Sequence, residues 1–300
     1  MLTHHWPSGG TPARVSIIGA AGFVGGAIKR QAEAAGFAVL PIARSEVDLL
    51  AGYAAEKLAA LLRADDVVVA ASAIAPVKNA QMLKDNVTLI DAIAAALKLR
   101  PVAQVINIGS DAIYADSETP LDEASPREPT GLHGIMHYFR EVMLAEAAGA
   151  APFATLRPTL IYGADDPHNG YGPNRFRGLA AKGETITLFG EGEERRDHVY
   201  VEDVAELAVR MIRHRSSGAL NAVTGSVVSF RDVARMVAGL FDSPPSIVGS
   251  PRSGPMPHNG YRPFNAAATK QAFPDFTYVQ PADGFAKVHA QVLAITRRRT

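Results

Sequence analysis

The chain contains no cysteine among its 300 residues, so it can form neither a disulfide nor a catalytic thiolate. Lys and Arg together number 30, as do Asp and Glu, so the net charge gives no field that would attract nucleic acid or an acidic membrane. No apolar run reaches about 18 residues without a charge or a breaker, and the first residues lack the apolar core of a signal peptide. We expect a cytoplasmic protein with a disordered leader over residues 1–12, and neither nucleic acid nor a membrane as partner.

From residue 13 the chain alternates between predicted strands and predicted helices. Strands are indicated by apolar, β-branched runs at residues 13–20, 37–43, 67–71, 101–109 and 153–158. Most segments between them carry apolar residues at helical spacing. Strands that are apolar on both faces are typical of a parallel sheet covered by helices on both sides. The sequence therefore predicts a doubly wound α/β fold.

The alternation changes near Gly163, where glycine, proline and asparagine become frequent. We place a first domain at residues 13–162 and a smaller, substrate-binding domain at residues 163–300. Residues 198–224 again have the pattern of a helix followed by a strand, so we expect this segment to pack back on the first domain.

A glycine-rich loop, "GAAGFVGG", joins the first predicted strand to the first helix through Gly19, Gly22 and Gly25. Such a loop permits a tight turn, and a backbone without Cβ atoms lets a pyrophosphate approach. The helix N-terminus then offers free N–H groups and a favourable dipole to the anion. Its position between a strand and a helix favours dinucleotide binding over a turn without a ligand.

Five further stretches follow in order, and with the glycine loop they identify a family resemblance. They are "GSDAIYAD" (109–116), "PLDEASPREPTGLHG" (120–134), "LRPTLIYG" (156–163), "GEGEERRDHVYVEDVAE" (190–206) and "YRPFNAAATK" (261–270). The set resembles the extended short-chain dehydrogenase/reductase family, the NAD(P)-dependent epimerases, dehydratases and reductases of nucleotide sugars. The resemblance covers nearly the whole chain. It implies a Rossmann-type first domain and a homodimer formed through paired helices.

The second predicted strand ends with Arg44 and Ser45, where an acidic residue would favour NAD. A guanidinium matches a ribose 2′-phosphate in charge and shape, so NADP is favoured, with NAD possible and a purely solvated Arg44 as the alternative. Together with the glycine loop, the resemblance implies a cofactor-binding set made of Gly19, Ala21, Gly22, Phe23, Val24, Gly25, Arg44, Ser45, Asp48, Leu49, Ala70, Ala71, Ser72, His137 and Pro158.

The catalytic segment departs from the family. The resemblance implies a serine that holds the substrate oxygen, a tyrosine that transfers its proton, and a lysine four residues later that lowers the tyrosine pKa and binds the nicotinamide ribose. Ser110 stands at the serine position, but His133 replaces the tyrosine and His137 replaces the lysine.

The paired replacement is chemically coherent if His133 is the acid/base. A phenol with a pKa near 10 needs a neighbouring cation to act near neutrality, whereas an imidazole with a pKa near 6.5 does not. Geometry argues against it, because a histidine Nε2 reaches about 2 Å less far from Cα than a phenol oxygen. A misplacement of about 1 Å can cost roughly a hundredfold in rate.

Three alternatives therefore stay open at this segment. The first is a regulatory or partner protein that binds NAD(P)(H) without catalysis. His133, His137 and Glu141 share one helix face and could hold a metal, although no further ligand motif is present and we predict none. Another residue, such as Asp111 or Tyr138, could take over the proton transfer.

The resemblance also implies a substrate-binding set, which consists of Asp111, Asn174, Arg196 and Arg262. Two arginines from separate segments could hold one diphosphate, or they could be interdomain ion pairs. The leading hypothesis is an NAD(P)-dependent oxidoreductase, epimerase or dehydratase acting on a nucleotide sugar or a similar carbonyl or carbinol compound.

Overall fold

The structure is a computed structural model that describes residues 1–297. The last three residues of the predicted second domain lie outside this range. The strands are β1 (Leu2–His4), β2 (Arg14–Ile18), β3 (Val39–Ile42), β4 (Asp66–Ala70), β5 (Gln104–Ile108), β6 (Phe153–Pro158), β7 (Leu160–Tyr162), β8 (Ile186–Phe189), β9 (Arg195–Tyr200), β10 (Ser216–Ala222), β11 (Val227–Ser229), β12 (Ile247–Ser250) and β13 (Tyr261–Arg262). The α-helices are α1 (Phe23–Ala34), α2 (Ala54–Leu61), α3 (Ala80–Leu99), α4 (Leu132–Ala148), α5 (Pro173–Ala181), α6 (Val201–Arg213), α7 (Phe230–Ala238), α8 (Ala267–Ala272) and α9 (Pro281–Arg297).

The main sheet has seven strands in the order β1-β10-β6-β5-β4-β2-β3. All neighbouring strands are parallel except β1, which pairs antiparallel with β10 through Leu2↔Gly218, Thr3↔Ser217 and His4↔Ser216. The predicted disordered leader is corrected here, because residues 2–4 form this edge strand. Residues 2–4 are ordered because their backbone pairs with β10, and the polar composition of the leader does not predict this pairing.

Helices cover both faces of the sheet. In β2 and β4 the side chains alternate: Val15, Ile17, Val67 and Val69 pack in the cluster that contains α1 and α6, whereas Ile18, Val68 and Ala70 pack in the cluster that contains α2, α3 and α4. This period of two is what a strand buried on both faces requires. The predicted Rossmann-type, doubly wound sheet is confirmed. Within residues 1–297, no helix is both long and apolar enough to cross a membrane.

The sheet creates a crevice where the strand order reverses. Starting from β2, the chain goes to β3 on one side of it and then to β4 on the other. In doubly wound sheets, ligands bind at the carboxyl ends of the strands beside such a switch point. The glycine loop follows β2 and therefore lies at this edge.

A smaller region closes the crevice from the other side. It contains a four-stranded sheet formed by β7, β9, β11 and β13, and a two-stranded sheet formed by β8 and β12. Helices α5, α7 and α9 pack with these strands. The segment expected to return to the first domain contributes α6, which packs on α1, and β10, which joins the main sheet.

Candidate active site

The glycine loop allows helix α1 to begin close to the end of β2. Gly19 has a φ of 88°, in the left-handed region that favours glycine. A Cβ on Gly25 would overlap the carbonyl oxygen of Gly19, so this helix can start so close to the turn only without a side chain there. Gly22 precedes the helix and makes no side-chain capping bond. The first-turn N–H groups are therefore left for a ligand.

A single cavity of about 620 Å³ extends from this loop to the second region. Many of the predicted site residues line it: Gly22, Phe23, Val24, Gly25, Ala71, Ser110, Asp111, His133, His137, Pro158, Asn174 and Arg196. The structure thus brings the glycine loop, the catalytic segment and part of the substrate set together in one space.

Other predicted residues lie outside the lining of this cavity. The predicted members Gly19, Ala21, Arg44, Ser45, Asp48, Leu49, Ala70, Ser72 and Arg262 do not line it. Gly19 lies directly on Ser72, whose backbone nitrogen would be 2.8 Å from an added Cβ. The side chain of Arg44 is 76% exposed and pairs with Asp48 at 3.3 Å. The predicted phosphate-binding arginine therefore stands in solvent beyond the end of β3.

Helix α4 carries the two histidines into the cavity. The helix lies against a short 3₁₀ turn at Asp111–Ile113, because a Cβ on Gly134 would overlap the carbonyl oxygen of Ala112. This close approach places His133 and His137 on the same side as Ser110. Their rings meet edge to face, with centroids 4.7 Å apart and planes at 90°.

Burial keeps both imidazoles neutral near neutral pH. Desolvation lowers the pKa of His133, an effect that the negative charge of Asp111 partly opposes. Desolvation lowers the pKa of His137 further, and His133 and Arg140 add to that decrease. The Nδ1 atoms of both histidines are buried and have no hydrogen-bond partner within residues 1–297. A neutral imidazole can accept a proton, so His133 is chemically suited to act as a base.

Ser110 and Asp111 begin the 3₁₀ turn beside these histidines. The Ser110 hydroxyl accepts a hydrogen bond from the backbone nitrogen of Ala112 at 3.1 Å and donates one to Asp111 Oδ1 at 3.4 Å. The other Asp111 oxygen accepts from Arg262 Nε at 3.0 Å. The serine is therefore held at the cavity wall with its hydroxyl weakly engaged.

Arg262 occupies a different position from the one predicted. Its side chain is 1% exposed, and it donates to the carboxylates of Asp111 and Asp116 and to the carbonyl oxygen of Asp111 at 2.7 Å. It does not line the cavity. In this structure Arg262 supports the turn that carries Ser110, and its expected contact with substrate stays a prediction.

Arg196 and Asn174 do line the substrate end of the cavity. Arg196 donates to Glu194 at 3.3 Å through one terminal nitrogen, while its Nε is buried without a partner within residues 1–297. Asn174 donates to Asp166 at 2.7 Å. Of the two predicted arginines, only Arg196 lines the cavity.

Sequence reasoning missed three histidines that line the cavity, His168, His198 and His258. His198 stands two residues after Arg196 on β9, and this spacing on a strand would have placed both on one face. Desolvation lowers the pKa of His198 to about 3. His258 bonds Asp116 at 2.5 Å across 142 residues of sequence, a contact that no local pattern predicts.

The other residues considered for the site point elsewhere. Tyr138 does not line the cavity, and its ring lies under the guanidinium of Arg127 at 5.7 Å. Glu141 pairs with the buried Arg157 at 2.5 Å, which ties α4 to β6. Across residues 1–297, no group of three or more His, Asp or Glu side chains could hold a metal ion.

Comparison with known proteins identifies the family of the chain. Residues 15–223 match the NAD dependent epimerase/dehydratase family. The dTDP-4-dehydro-6-deoxy-D-allose reductase of Streptomyces bikiniensis is 26% identical over 277 residues, which cover 78% of this chain and 82% of that protein.

Solved structures share the fold. A GDP-L-fucose synthetase from Naegleria fowleri bound to NADP superposes with a TM-score of 0.81 at 16% identity, covering 96% of this chain and 95% of that one. A UDP-glucose 4-epimerase from Thermotoga maritima with UDP-glucose gives 0.81 at 19% identity, covering 95% and 99%. Because the family match spans more than half of the sequence, the chain belongs to the NAD dependent epimerase/dehydratase family.

Proposed function

We propose that this chain is an NADP-preferring oxidoreductase, epimerase or dehydratase that acts on a nucleotide sugar or a similar carbonyl or carbinol compound. The observation that carries the proposal is the shared cavity: the glycine loop, Ser110 and His133 line one space. Family membership supports dinucleotide-dependent chemistry. The related reductase, synthetase and epimerase, by their names, act on or bind sugars joined to nucleotides.

The residues present fit a dinucleotide. The glycine loop leaves the N-terminus of α1 free beside the cavity, which suits a pyrophosphate. Arg44, exposed beyond β3, is available for a ribose 2′-phosphate, and the Naegleria fowleri neighbour is bound to NADP. When bound, the nicotinamide supplies or accepts the hydride.

His133 is the proposed acid/base. In the oxidative direction its neutral imidazole accepts the proton of a carbinol oxygen that Ser110 orients, and in the reductive direction the imidazolium returns it. The lowered pKa of His133 favours the base form at neutral pH. We therefore expect kcat/KM for oxidation to reach its plateau at a lower pH than an ordinary imidazole would give, and to fall as pH decreases through the lowered His133 pKa.

The substrate end supports an anionic ligand. Arg196 has an unpartnered, buried Nε, and His198 on the same strand has an unpartnered Nε2, within the described residues. Both residues line the cavity together with Asn174. A diphosphate would accept a hydrogen bond from Arg196 Nε, because charge-assisted bonds to phosphate are among the strongest that proteins make. His198 Nδ1 donates to the carbonyl oxygen of Arg196 at 3.2 Å, so its Nε2 can only accept, for example from a sugar hydroxyl.

The test is turnover by wild type and by His133→Ala. Each protein is incubated with NADPH and a panel of 4-keto nucleotide sugars, and absorbance is followed at 340 nm. We expect the variant to lose about 100- to 10,000-fold in kcat. Dinucleotide affinity, measured by fluorescence titration, should change little, because the change removes the proton-transferring group. Equal turnover by the variant would refute the role of His133.

A second candidate is a regulatory or partner protein that binds NAD(P)(H) without catalysis. The observation that favours it is the lack of a replacement phenol among the described residues. Of the tyrosines that line the cavity, Tyr171 accepts a bond from the backbone of Phe189 and stacks on its ring, while Tyr162 is buried against Phe285. Tight NADPH binding by wild type with no turnover across the panel would favour this reading.

We also propose a homodimer, with the outer face of the α3–α4 pair as its contact. The two helices pack against each other and still expose large apolar side chains, namely Val87, Leu99, Ile135 and Val142. Exposed apolar side chains on neighbouring helices are typical of a surface that another copy covers. Sedimentation velocity should give about twice the chain mass, and Val142→Glu should reduce it to that of one chain.

A further inference from the structure

Arg140 is a buried cation that the proposed mechanism does not use. It lies on α4 one turn after His137, and its relative exposure is 0%. Its three donor groups bond Asn107 Oδ1 at 2.7 Å, the carbonyl oxygen of Ser72 at 2.5 Å and that of Ala70 at 2.6 Å. All three acceptors are neutral.

The charge of Arg140 has no partner of opposite sign among the residues that the structure describes. Throughout residues 1–297, no carboxylate lies within 4.0 Å of its guanidinium. By contrast, the buried Arg157 on β6 pairs with Glu141. Desolvation lowers the pKa of Arg140 to about 10, which still leaves it protonated at neutral pH. An unpaired buried charge is costly to fold, and an apolar side chain of similar volume would avoid that cost. The charge would therefore be stabilised by an anionic partner that residues 1–297 do not supply.

The guanidinium lies directly behind the proposed dinucleotide site. Ser72 and Ala70, which accept its bonds, flank Ala71, and Ala71 lines the cavity. Ser72 is also the residue against which the Gly19 turn packs. On the other side, the charge of Arg140 is close enough to lower the pKa of His137. The cation thus stands between the glycine loop and the catalytic segment, one residue layer from each.

We propose that Arg140 is a positioning residue whose charge is balanced by the bound dinucleotide, and that it makes the site prefer the reduced form of the dinucleotide. The inference depends on the proposed function. The phosphates attract the guanidinium in both redox forms. The oxidised nicotinamide carries a positive charge that the reduced ring lacks, so a fixed cation nearby disfavours the oxidised form.

The position of Arg140 also accounts for the histidine at position 137. A lysine there, as the family resemblance implies, would place a second cation beside the first in a buried site. With Arg140 present, a neutral side chain at 137 avoids this repulsion. Relative to the family pattern, this chain has its buried positive charge at position 140 instead of position 137.

The first test compares Arg140→Met, which keeps a long apolar side chain and removes the charge, with Arg140→Lys, which keeps the charge. Dissociation constants for NADPH and NADP+ are measured by fluorescence and by calorimetry. The ratio Kd(NADP+)/Kd(NADPH) should fall about fivefold in Arg140→Met, and should stay within about twofold of wild type in Arg140→Lys. A ratio unchanged in Arg140→Met, with both dinucleotides bound, would overturn the inference and leave Arg140 as a structural link between β4 and β5.

A second test does not depend on the folding of Arg140→Met by itself. His137→Lys should lower Tm by about 10 °C, because it adds an unpaired cation next to Arg140. The double variant His137→Lys/Arg140→Met should recover at least half of that loss, because it restores a single cation. A double variant with a Tm no higher than that of His137→Lys would contradict the proposed exchange of charge between the two positions.

The two proposals fail in different ways. If wild type binds neither NADPH nor NADP+, the proposed function fails and the role of Arg140 fails with it. If wild type binds both and only the ratio in Arg140→Met disagrees, the proposed function stands and the inference about Arg140 is refuted.

Discussion

The glycine-loop end of the cavity is formed by one continuous segment of the chain, whereas the opposite end combines charged and aromatic side chains from distant parts of the chain. Residues 22–25 line the first end as one continuous segment. At the second end, Asp111 depends on Arg262, which lies 151 residues later in the sequence. A consecutive segment can keep its geometry through its own glycines. Residues that are distant in sequence keep their relative positions through long-range contacts such as this ion pair.

The difference matters for how the site can change. At the cofactor end, the fold tolerates no Cβ at Gly25, so the sequence there is fixed by sterics. At the catalytic end, helix α4 presents side chains to the cavity, and His133 and His137 stand where a tyrosine and a lysine are expected. Arg140, behind them, offers an electrostatic reason why the two positions changed together.

The largest expected effect is a loss of stability at the end of the cavity where Arg262 pairs with Asp111. Arg262→Met should lower the free energy of unfolding by about 3–5 kcal/mol, because it leaves the buried Asp111 carboxylate without its charged partner. Chemical denaturation monitored by circular dichroism measures the loss. In the double variant Asp111→Asn/Arg262→Met the loss should be smaller than the sum of the single losses, because neither charge is left alone. Additive losses would show that the pair does not hold this end together.

The next effect is a loss of NADPH affinity at the glycine-loop end of the cavity. Gly25→Ala should weaken NADPH binding roughly 100-fold, because the new Cβ forces α1 away from the Gly19 turn. Gly26→Ala is the matched control in the same helix, since its Cβ would find Ala20 O only at 3.5 Å. That control should keep its affinity and gain about 0.5–1 kcal/mol of stability from reduced backbone entropy in the unfolded chain. Equal affinities for the two variants would argue against a sterically fixed loop.

The two ends also differ in how far sequence predicts them. The order of strands and helices and the glycine loop follow from neighbouring residues, because periodicity and turn chemistry are local properties. Arg262 and Arg196 looked equivalent in sequence, yet one is enclosed by Asp111 and Asp116 while the other lines the cavity. That distinction depends on tertiary contacts. Strand β1 was missed for the same reason, since its order comes from pairing with β10.

A smaller effect is expected at the substrate end, where Arg196 can be compared with its neighbour on β9. Arg196→Met should raise KM for an anionic substrate about 10- to 100-fold, because it removes a charge-assisted bond. Arg195→Met is the control, since Arg195 is exposed and lies over the ring of Tyr261 at 4.3 Å. Steady-state kinetics at saturating NADPH measures both variants. A similar rise in KM for the two would mean that Arg196 makes no specific contact with substrate.

The smallest effect should come from Arg44, a predicted cofactor contact whose side chain is exposed. Its ion pair with Asp48 joins side chains that are 76% and 41% exposed, so Arg44→Ala should change stability by less than about 0.5 kcal/mol. The ratio of NADP to NAD affinity should fall about tenfold, because the 2′-phosphate loses a charged donor. Asp48→Asn should leave the ratio equal or higher, since it frees the guanidinium from its present partner. An unchanged ratio in Arg44→Ala would make Arg44 a solvated surface residue, and the preference for one dinucleotide would then lie in the buried parts of the cofactor end.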